Sequence, residues 1–181
     1  MSEDRRAIPS VELLHECFDY DPETGVLAWK KRPPQHFATT TMWKRWNTRY
    51  AGKPAGLINH NGYWLVAIDD RKYLAHRAIW KMTTGKEPPL IIDHKDGNPA
   101  NNRWSNLRAA TALEQQWNRR LGKTNSSGFK GVCRHRSKWI AQIRVNGANR
   151  YRGVYETPEQ AAAAYEAAAR ELHGEFYAAR G

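Results

Sequence analysis

The chain has 181 residues, and its 29 Lys and Arg residues against 18 Asp and Glu residues give a formal net charge of +11 and a pI near 9.9. This length predicts one or two domains, each with a modest core. The charge predicts a polyanionic partner, nucleic acid ahead of an acidic membrane, because eight Trp and eight Tyr are interleaved with the basic residues.

Cysteine content and hydropathy argue against several other classes of protein. Cys17 and Cys133 lie far apart and form no Cys-x-x-Cys pair, so neither a disulfide framework nor a Cys-rich zinc site is indicated. No apolar run approaches the length of a membrane span, and the first residues lack the apolar core of a signal peptide. The sequence therefore predicts a cytoplasmic protein without a membrane partner.

The N-terminal part predicts a helix followed by a hairpin. Residues 1–9 are polar and end at Pro9, which is typical of a flexible tail. Ser10 can cap a short helix with one apolar face. Residues 20–25 then form a turn before a strand at residues 26–30, and the helix is expected to pack on this first sheet.

Residues 31–55 combine prolines, threonines and alternating basic and aromatic residues, and here we predict a loop. Two interpretations stay open for it. The loop could lie along a DNA backbone and stack on bases, or its aromatic side chains could be buried while its cations face solvent. Strand patterns begin again at Gly56, and the segment from Tyr73 leads into a helix that ends near Gly85.

The stretch that starts at Asp93 gathers residue types suited to phosphodiester cleavage. A hard divalent cation prefers oxygen ligands, and Asp93 supplies a carboxylate. The adjacent His94 supplies an imidazole that can take a proton from water near neutral pH. Such a ring needs a partner that fixes its orientation, and Asn106 is the candidate.

A helix is predicted to follow this stretch. Thr111, with a glutamate three residues later, fits the spacing of a capping box, so the helix begins there. Gln115 and Asn118 lie three residues apart and share a helix face. Either side chain could supply the second protein ligand of a metal ion.

These residues, continued by Asp96-Gly97-Asn98, Asn101-Asn102-Arg103 and Asn106-Leu107-Arg108, resemble the HNH endonuclease motif of phage and intron-encoded homing nucleases, whose fold is a ββα-metal finger. The resemblance implies that Asp93 binds the metal, that His94 is the general base, and that Asn106 orients His94. Gln115 stands where that family has a metal-binding Asn, and Asn118 is the alternative.

The resemblance also implies an activity and partners. The protein is expected to hydrolyse phosphodiester bonds of double-stranded DNA with a divalent metal ion, Mg²⁺ or alternatively Mn²⁺. It would nick as a monomer or cut both strands as a homodimer assembled on DNA, in the cytoplasm of a bacterial or phage-infected cell. The alternative is a DNA-binding transcriptional or architectural protein that keeps the HNH fold without activity. Upstream, His76 is interpreted mainly as a structural histidine beneath the site. The phosphate contacts are assigned to Arg77, Arg103 and Arg108.

The C-terminal part carries charge of one sign, since no acidic residue occurs between residues 115 and 155. Apolar residues alternate with polar ones along residues 138–145, which predicts a strand with one buried face. Residues 146–147 form a turn, and another strand runs through residues 151–155. A three-stranded antiparallel sheet is the expected result.

A capped helix is predicted after this sheet, since residues 157–160 supply an N-cap, a proline and a capping-box partner, and Gly174 ends it. The segments 128–132 and 156–165, with Trp139, resemble the Apetala-two/ethylene-response-factor DNA-binding domain. That resemblance implies a sheet laid in the major groove. The residues that would then contact DNA are Lys130, Arg134, Arg136, Lys138, Gln142, Arg144, Arg150, Tyr151 and Arg152.

The sequence thus predicts an α+β fold in two domains. After the flexible tail at residues 1–9, a mixed domain with a ββα-metal HNH core covers residues 10–120. A linker at residues 121–127 leads to the Apetala-two-type domain over residues 128–181, a small three-stranded antiparallel sheet packed on one helix.

Overall fold

The computed structural model describes residues 7–118, 121, 125–145 and 148–177. The fold is mixed α+β and divides into two compact units, Met1–Ala110 and Thr111–Gly181. The helix that was expected to end the first domain therefore belongs to the second unit. Residues 1–6 of the predicted tail and residues 122–124 of the predicted linker lie outside the described residues. Within the described ranges, no helix is both long enough and apolar enough to cross a membrane.

The elements of the first unit are, in chain order, α1 (Val11–Cys17), β1 (Phe18–Asp21), β2 (Val26–Trp29), α2 (Thr40–Tyr50), β3 (Leu57–Ile58), β4 (Trp64–Ile68), β5 (Arg71–Leu74), α3 (Ala75–Thr84), β6 (Ile91–His94) and β7 (Leu107–Ala110). The strands form antiparallel sheets of order β1-β2, β3-β4-β5 and β6-β7. The core joins these layers: Leu14, Phe18 and Ile79 are fully buried in it, and the β6-β7 hairpin enters it through Ile92 and Leu107.

Local signals at the ends of the first helices have the outcomes that the sequence predicts. The Ser10 side chain accepts a hydrogen bond from the backbone N–H of Leu13 and caps α1. Gly85 ends α3 with φ 68°, a left-handed conformation that glycine adopts without a steric penalty.

The prediction of a loop was wrong for the part of residues 31–55 that forms α2. The side chain of Thr39 accepts a hydrogen bond from the backbone N–H of Met42 and caps the helix. Trp46 and Tyr50, four residues apart, then pack on the core from one helix face. The basic and aromatic residues follow the helical period, and this physical pattern outweighs the local abundance of turn-forming residues.

The elements of the second unit are α4 (Ala112–Asn118), β8 (Val132–His135), β9 (Lys138–Val145), β10 (Ala148–Tyr155) and α5 (Pro158–His173). The strands form one antiparallel sheet of order β10-β9-β8, and α5 packs on one of its faces. A capping box joins Thr157 and Gln160 at the start of α5, and Gly174 caps its end, as predicted. The second unit thus has the predicted three-stranded antiparallel sheet with one helix packed on it.

Within the second unit, α4 packs against the end of α5. The rings of Trp117 and His173 stack with their centroids 4.0 Å apart and their planes inclined by 16°. Burial lowers the pKa of His173, against a smaller opposing contribution from the backbone of Leu172, so this ring favours the neutral form.

Candidate active site

The β6-β7 hairpin holds the two residues around which the sequence predicted a site. Antiparallel pairing sets Asp93 opposite Arg108 and His94 opposite Leu107. Asp93 and His94 end β6, and only 6% and 5% of their surfaces are exposed. Successive side chains of a strand point to opposite faces, so these two neighbours lie in different surroundings.

Asp93 forms a buried ion pair with the residue opposite it. Arg108 donates to Asp93 Oδ2 from Nε at 2.9 Å and from Nη2 at 2.7 Å. Both side chains are less than a tenth exposed. The sequence assigned Arg108 to a DNA phosphate, whereas its guanidinium lies against this carboxylate.

His94 is held by an amide that the sequence did not single out for this role. Its Nε2 donates to Asn102 Oδ1 at 3.1 Å, and Asn102 is only 2% exposed. Because an amide oxygen only accepts, the proton of the neutral ring sits on Nε2, and Nδ1 is the basic nitrogen. Burial lowers the pKa of His94, although the hydrogen bond to Asn102 and the charges of Asp96 and Asp93 act in the opposite direction.

A second buried imidazole packs on the first. The ring centroids of His76 and His94 are 5.1 Å apart at 78°, and Tyr63 lies 5.5 Å from His76 and 6.0 Å from His94. Burial, followed by the charges of His94 and Arg77, lowers the pKa of His76 to about 3. This packing agrees with the interpretation of His76 as a structural histidine beneath the site.

Asn106, the predicted orienting residue, organises the loop that joins the two strands. Its Oδ1 accepts from the backbone N–H of Asp96 at 2.9 Å, and its Nδ2 donates to Asp96 Oδ1 at 2.9 Å and to the carbonyl of Asn101 at 2.8 Å. Burial raises the pKa of Asp96, but hydrogen bonds from Asn101, Asn98 and Asn106 outweigh it, and the net shift is downward. Asn106 thus fixes the hairpin loop rather than the imidazole.

The β1-β2 hairpin contacts the backbone of the segment that contains Asn102. Tyr20 on β1 donates its hydroxyl to the carbonyl of Asn102 at 2.8 Å, and the N–H of Trp104 donates to the carbonyl of Pro22 at 3.1 Å. Gly25, at φ 76°, approaches so closely that an added Cβ would lie 2.4 Å from the backbone nitrogen of Arg103. These contacts are long-range, which explains why sequence spacing alone did not identify Asn102.

The two amides proposed as metal ligands differ in exposure. Gln115 and Asn118 both lie on α4 of the second unit, where Gln115 is exposed and Asn118 is 4% exposed. Among the described residues, no group of three or more His, Cys, Asp and Glu could hold a metal. Mg²⁺ is usually held by one or two carboxylates and completed by water and substrate phosphates. Asp93 supplies a carboxylate of that kind in the first unit.

The other predicted phosphate contacts of the first unit have different surroundings. Arg77 donates from Nη1 to the carbonyl of Pro89 at 2.9 Å and, at 3.4 Å, to that of Leu90, so it holds the segment before β6. Arg103 is exposed beside the hairpin loop. Of the three arginines assigned to phosphate, Arg103 has the exposure that this role needs.

The sheet of the second unit separates the predicted DNA contacts between its faces. Ala141 and Ile143 are buried under α5. Lys138, Gln142 and Arg144 alternate with them and therefore project from the opposite face. Lys138 also forms an ion pair with Glu156 on the adjoining segment.

Several basic residues assigned to DNA lie elsewhere in this unit. Arg134 pairs with Trp139 across the sheet, with its Cζ 5.8 Å from the indole centroid, and Arg150 pairs with Ile143. Because cross-strand partners share a face of the sheet, the side chains of both arginines leave the backbone on the face that α5 covers. Lys130 donates to the carbonyl of Trp117 at 3.3 Å.

Three further predicted contacts complete this set. Arg136 occupies the β8-β9 turn at φ 56°. The side chains of Tyr151 and Arg152 lie outside the described residues, beside a bulge in β10. The face of the sheet away from α5 therefore carries fewer of the predicted contacts than the sequence suggested.

Residues 73–116, which include α3 and the β6-β7 hairpin, match the family described as HNH endonuclease. Together with the relatives below, this match shows that the chain belongs to the HNH endonuclease family.

Two viral proteins are similar to this chain. It is 36% identical over 104 residues to Protein 3.8 of Escherichia phage T7, an alignment that covers 56% of this chain and 85% of that protein. It is 38% identical over 124 residues to an uncharacterised HNH endonuclease of Acanthamoeba polyphaga mimivirus, covering 67% of this chain and 64% of that protein. No solved structure matches the chain.

Proposed function

We propose that this protein is a metal-dependent DNA endonuclease in which His94 is the general base. The observation that carries the proposal is the buried imidazole directly after Asp93, whose Nε2 lies 3.1 Å from the amide oxygen of Asn102 and whose pKa burial lowers toward the neutral form. An imidazole in this protonation state can accept a proton near neutral pH. The match to the HNH endonuclease family implies that the substrate is DNA.

In the proposed reaction, Nδ1 of His94 takes a proton from a water molecule as the water oxygen bonds to phosphorus. The bond from phosphorus to the leaving sugar oxygen breaks, and that oxygen takes a proton from solvent. Asn102 keeps the ring in the required tautomer, because its amide oxygen accepts only from the protonated nitrogen. His76 and Tyr63 pack on the ring of His94 and limit its movement.

The metal is proposed to be Mg²⁺ or Mn²⁺, since HNH endonucleases generally use a divalent ion. When bound, it would stabilise negative charge on the phosphate and on the leaving oxygen. Asp93 is the proposed carboxylate ligand, and the assignment of an amide ligand to Gln115 or Asn118 of the second unit stays a prediction from the sequence. Arg108 would then orient Asp93 through the two hydrogen bonds to Oδ2.

The second unit is proposed to bind duplex DNA as an Apetala-two-type domain, with Lys138, Gln142 and Arg144 on the face away from α5. Arginine and glutamine suit guanine and adenine edges in the major groove, respectively. Most protein–DNA hydrogen bonds nevertheless go to the backbone, so these residues are expected to position the protein more than to read sequence. Arg103 is proposed to contact a phosphate beside the loop that joins β6 and β7.

The test is conversion of supercoiled plasmid by the full chain with Mg²⁺, with Mn²⁺ or with EDTA. We expect metal-dependent nicking or linearisation, and a loss of at least two orders of magnitude in His94→Ala, since general-base catalysis contributes about 10²–10⁴-fold. His15→Ala, at an exposed histidine of α1, is the matched control and should cut normally. Equal cutting by both variants would exclude His94 as the base. The ratio of nicked to linear product distinguishes single-strand from paired cleavage.

A second candidate function is DNA binding without cleavage. It is favoured by the guanidinium of Arg108 against Asp93, which adds positive charge where a cation would bind, and by Gln115 in place of the family's Asn. A protein of this kind would bind the plasmid yet leave its topology unchanged with every metal.

A further inference from the structure

Helix α2 has one face in the core and one face in solvent. Trp46 packs edge-on against Trp29, with 4.9 Å between centroids, and lies 5.2 Å from Tyr50. Trp43 donates its indole N–H to the carbonyl of Arg32 at 2.8 Å. The aromatic face of the helix therefore contacts other residues of the first unit.

The opposite face is cationic. Lys44, Arg45 and Arg49 are exposed, and Thr41 and Thr48 are exposed between them. At 100° per residue these five positions fall within one half of the helix circumference. Lys44 and Arg49 are five residues apart, or about 7.5 Å along the axis. We call the surface formed by these five residues the α2 face.

The surroundings of the α2 face supply little compensating charge. No Asp or Glu occurs in the sequence from residue 24 to residue 68. The neighbouring cations Lys30 and Arg32 pair with Asp19 and Asp69. Among the described residues, no carboxylate forms an ion pair with a cation of the α2 face.

Because the proposed function already requires duplex DNA, we infer that the α2 face is a second DNA-binding surface, one that contacts the sugar–phosphate backbone from the same unit as the β6-β7 hairpin. Duplex DNA carries one negative charge per about 1.7 Å of axis, so about four phosphate charges lie along the roughly 7.5 Å over which the three cations are spaced. Threonine hydroxyls also bind phosphate oxygens. The face offers no Asn or Gln for adenine edges, and most protein–DNA hydrogen bonds go to the backbone, which together favour backbone contact over sequence readout.

An acidic membrane is a poorer partner for this surface. A helix that binds in a membrane interface inserts an apolar face between the lipids. In α2 that face is occupied by the core, and Met42, which is 54% exposed, is the large apolar side chain that it leaves near solvent. The remaining surface has charges and hydroxyls, which suit a hydrated polyanion.

The test compares the salt dependence of DNA binding by full-length variants in EDTA, which separates binding from cleavage. The test variant carries Lys44→Gln, Arg45→Gln and Arg49→Gln, and glutamine preserves helix propensity. The matched control removes three other exposed cations of the same unit by Arg71→Gln, Lys72→Gln and Lys86→Gln. Fluorescence anisotropy with a duplex of random sequence gives log K against log salt for each protein.

We expect the slope of the test variant to fall by about 2.7, as three lost phosphate contacts require, and its affinity near 0.1 M salt to fall at least about tenfold. The control should retain the wild-type slope within about 1. A wild-type slope in the test variant, or an equal loss of slope in the control, would overturn the inference. If the wild-type protein still cuts plasmid, the endonuclease proposal would stand in that case.

Two other outcomes separate the alternatives. If the wild-type chain fails to bind DNA, both the α2 face and the endonuclease proposal fail. If the test variant loses binding to vesicles of anionic lipid but keeps its DNA slope, the surface is a membrane contact and the inference is wrong. Circular dichroism of each variant verifies that the helices persist.

Discussion

Breaking the buried ion pair between Asp93 and Arg108 should destabilise the protein as well as impair any chemistry at Asp93. Both side chains are less than a tenth exposed, and two hydrogen bonds of 2.9 and 2.7 Å join them. Removal of one partner leaves the other charge buried, which costs about 3–5 kcal/mol. Asp93→Ala should therefore lower the free energy of unfolding by about that amount, a large part of the roughly 5–15 kcal/mol of a typical domain.

A double-mutant cycle isolates the pair. Arg108→Met alone leaves the carboxylate of Asp93 buried without its partner, whereas the double variant Asp93→Ala with Arg108→Met leaves neither charge of the pair. The double variant should therefore lose less free energy of unfolding than the sum of the two single variants, by about 1–3 kcal/mol. Urea unfolding followed by tryptophan fluorescence measures each corner of the cycle. The exposed pair of Asp19 and Lys30, separated by 3.4 Å, is the control and should contribute under about 1 kcal/mol.

The reasoning would be refuted by additive costs, or by a loss under about 1 kcal/mol in Asp93→Ala, as at an exposed pair. The expected result also affects how cleavage assays are interpreted. An inactive Asp93→Ala protein demonstrates a metal ligand only when its activity is normalised to the folded fraction.

Two further predictions concern the buried imidazoles. Asn102→Ala should lower kcat about 10–100-fold, the range seen when a partner of a functional histidine is lost. In the wild type the hydrogen bond to Asn102 raises the pKa of His94, so its loss lowers that pKa and the pH–rate profile should rise at lower pH than in the wild type; an unchanged profile would contradict this. The second prediction is that stability falls as pH drops below about 6.5, where the unfolded state binds protons that buried His76, with its pKa of about 3, does not. His76 alone should account for a loss of about 2 kcal/mol at pH 5, measured by urea unfolding at pH 7 and pH 5, and the same pH dependence in His76→Gln would contradict the assignment.

Sequence patterns predicted those parts of the fold that depend on neighbours in the chain. The capping box at Thr157, the glycine stop at Gly85 and the pairing of the C-terminal strands each follow from residues within one turn or one hairpin. For α2 the same kind of reasoning failed, because the prediction gave the nearby turn-forming residues more weight than the helical spacing of Trp46 and Tyr50, which pack on the core.

The candidate site shows the same limit. The position of Asp93 and His94 at the end of a strand was predictable, and the pairing of Asp93 with Arg108 follows once the register of the hairpin is known. The choice of Asn102 over Asn106 as the amide on the imidazole was not predictable, because the path of the loop is set by the distant turn that contains Gly25.

The contact between the β1-β2 turn and the loop that joins β6 and β7 has a consequence for protein engineering. Tyr20 and Pro22 hydrogen-bond to the loop segment that carries Asn102, yet both precede residues 73–116, the segment that defines the family. A graft of that segment into a new scaffold would carry His94, the proposed general base, and Asn102, but not the contacts that position Asn102. A grafted segment must therefore also include the β1-β2 hairpin, or another hydroxyl donor that binds the carbonyl of Asn102 as Tyr20 does.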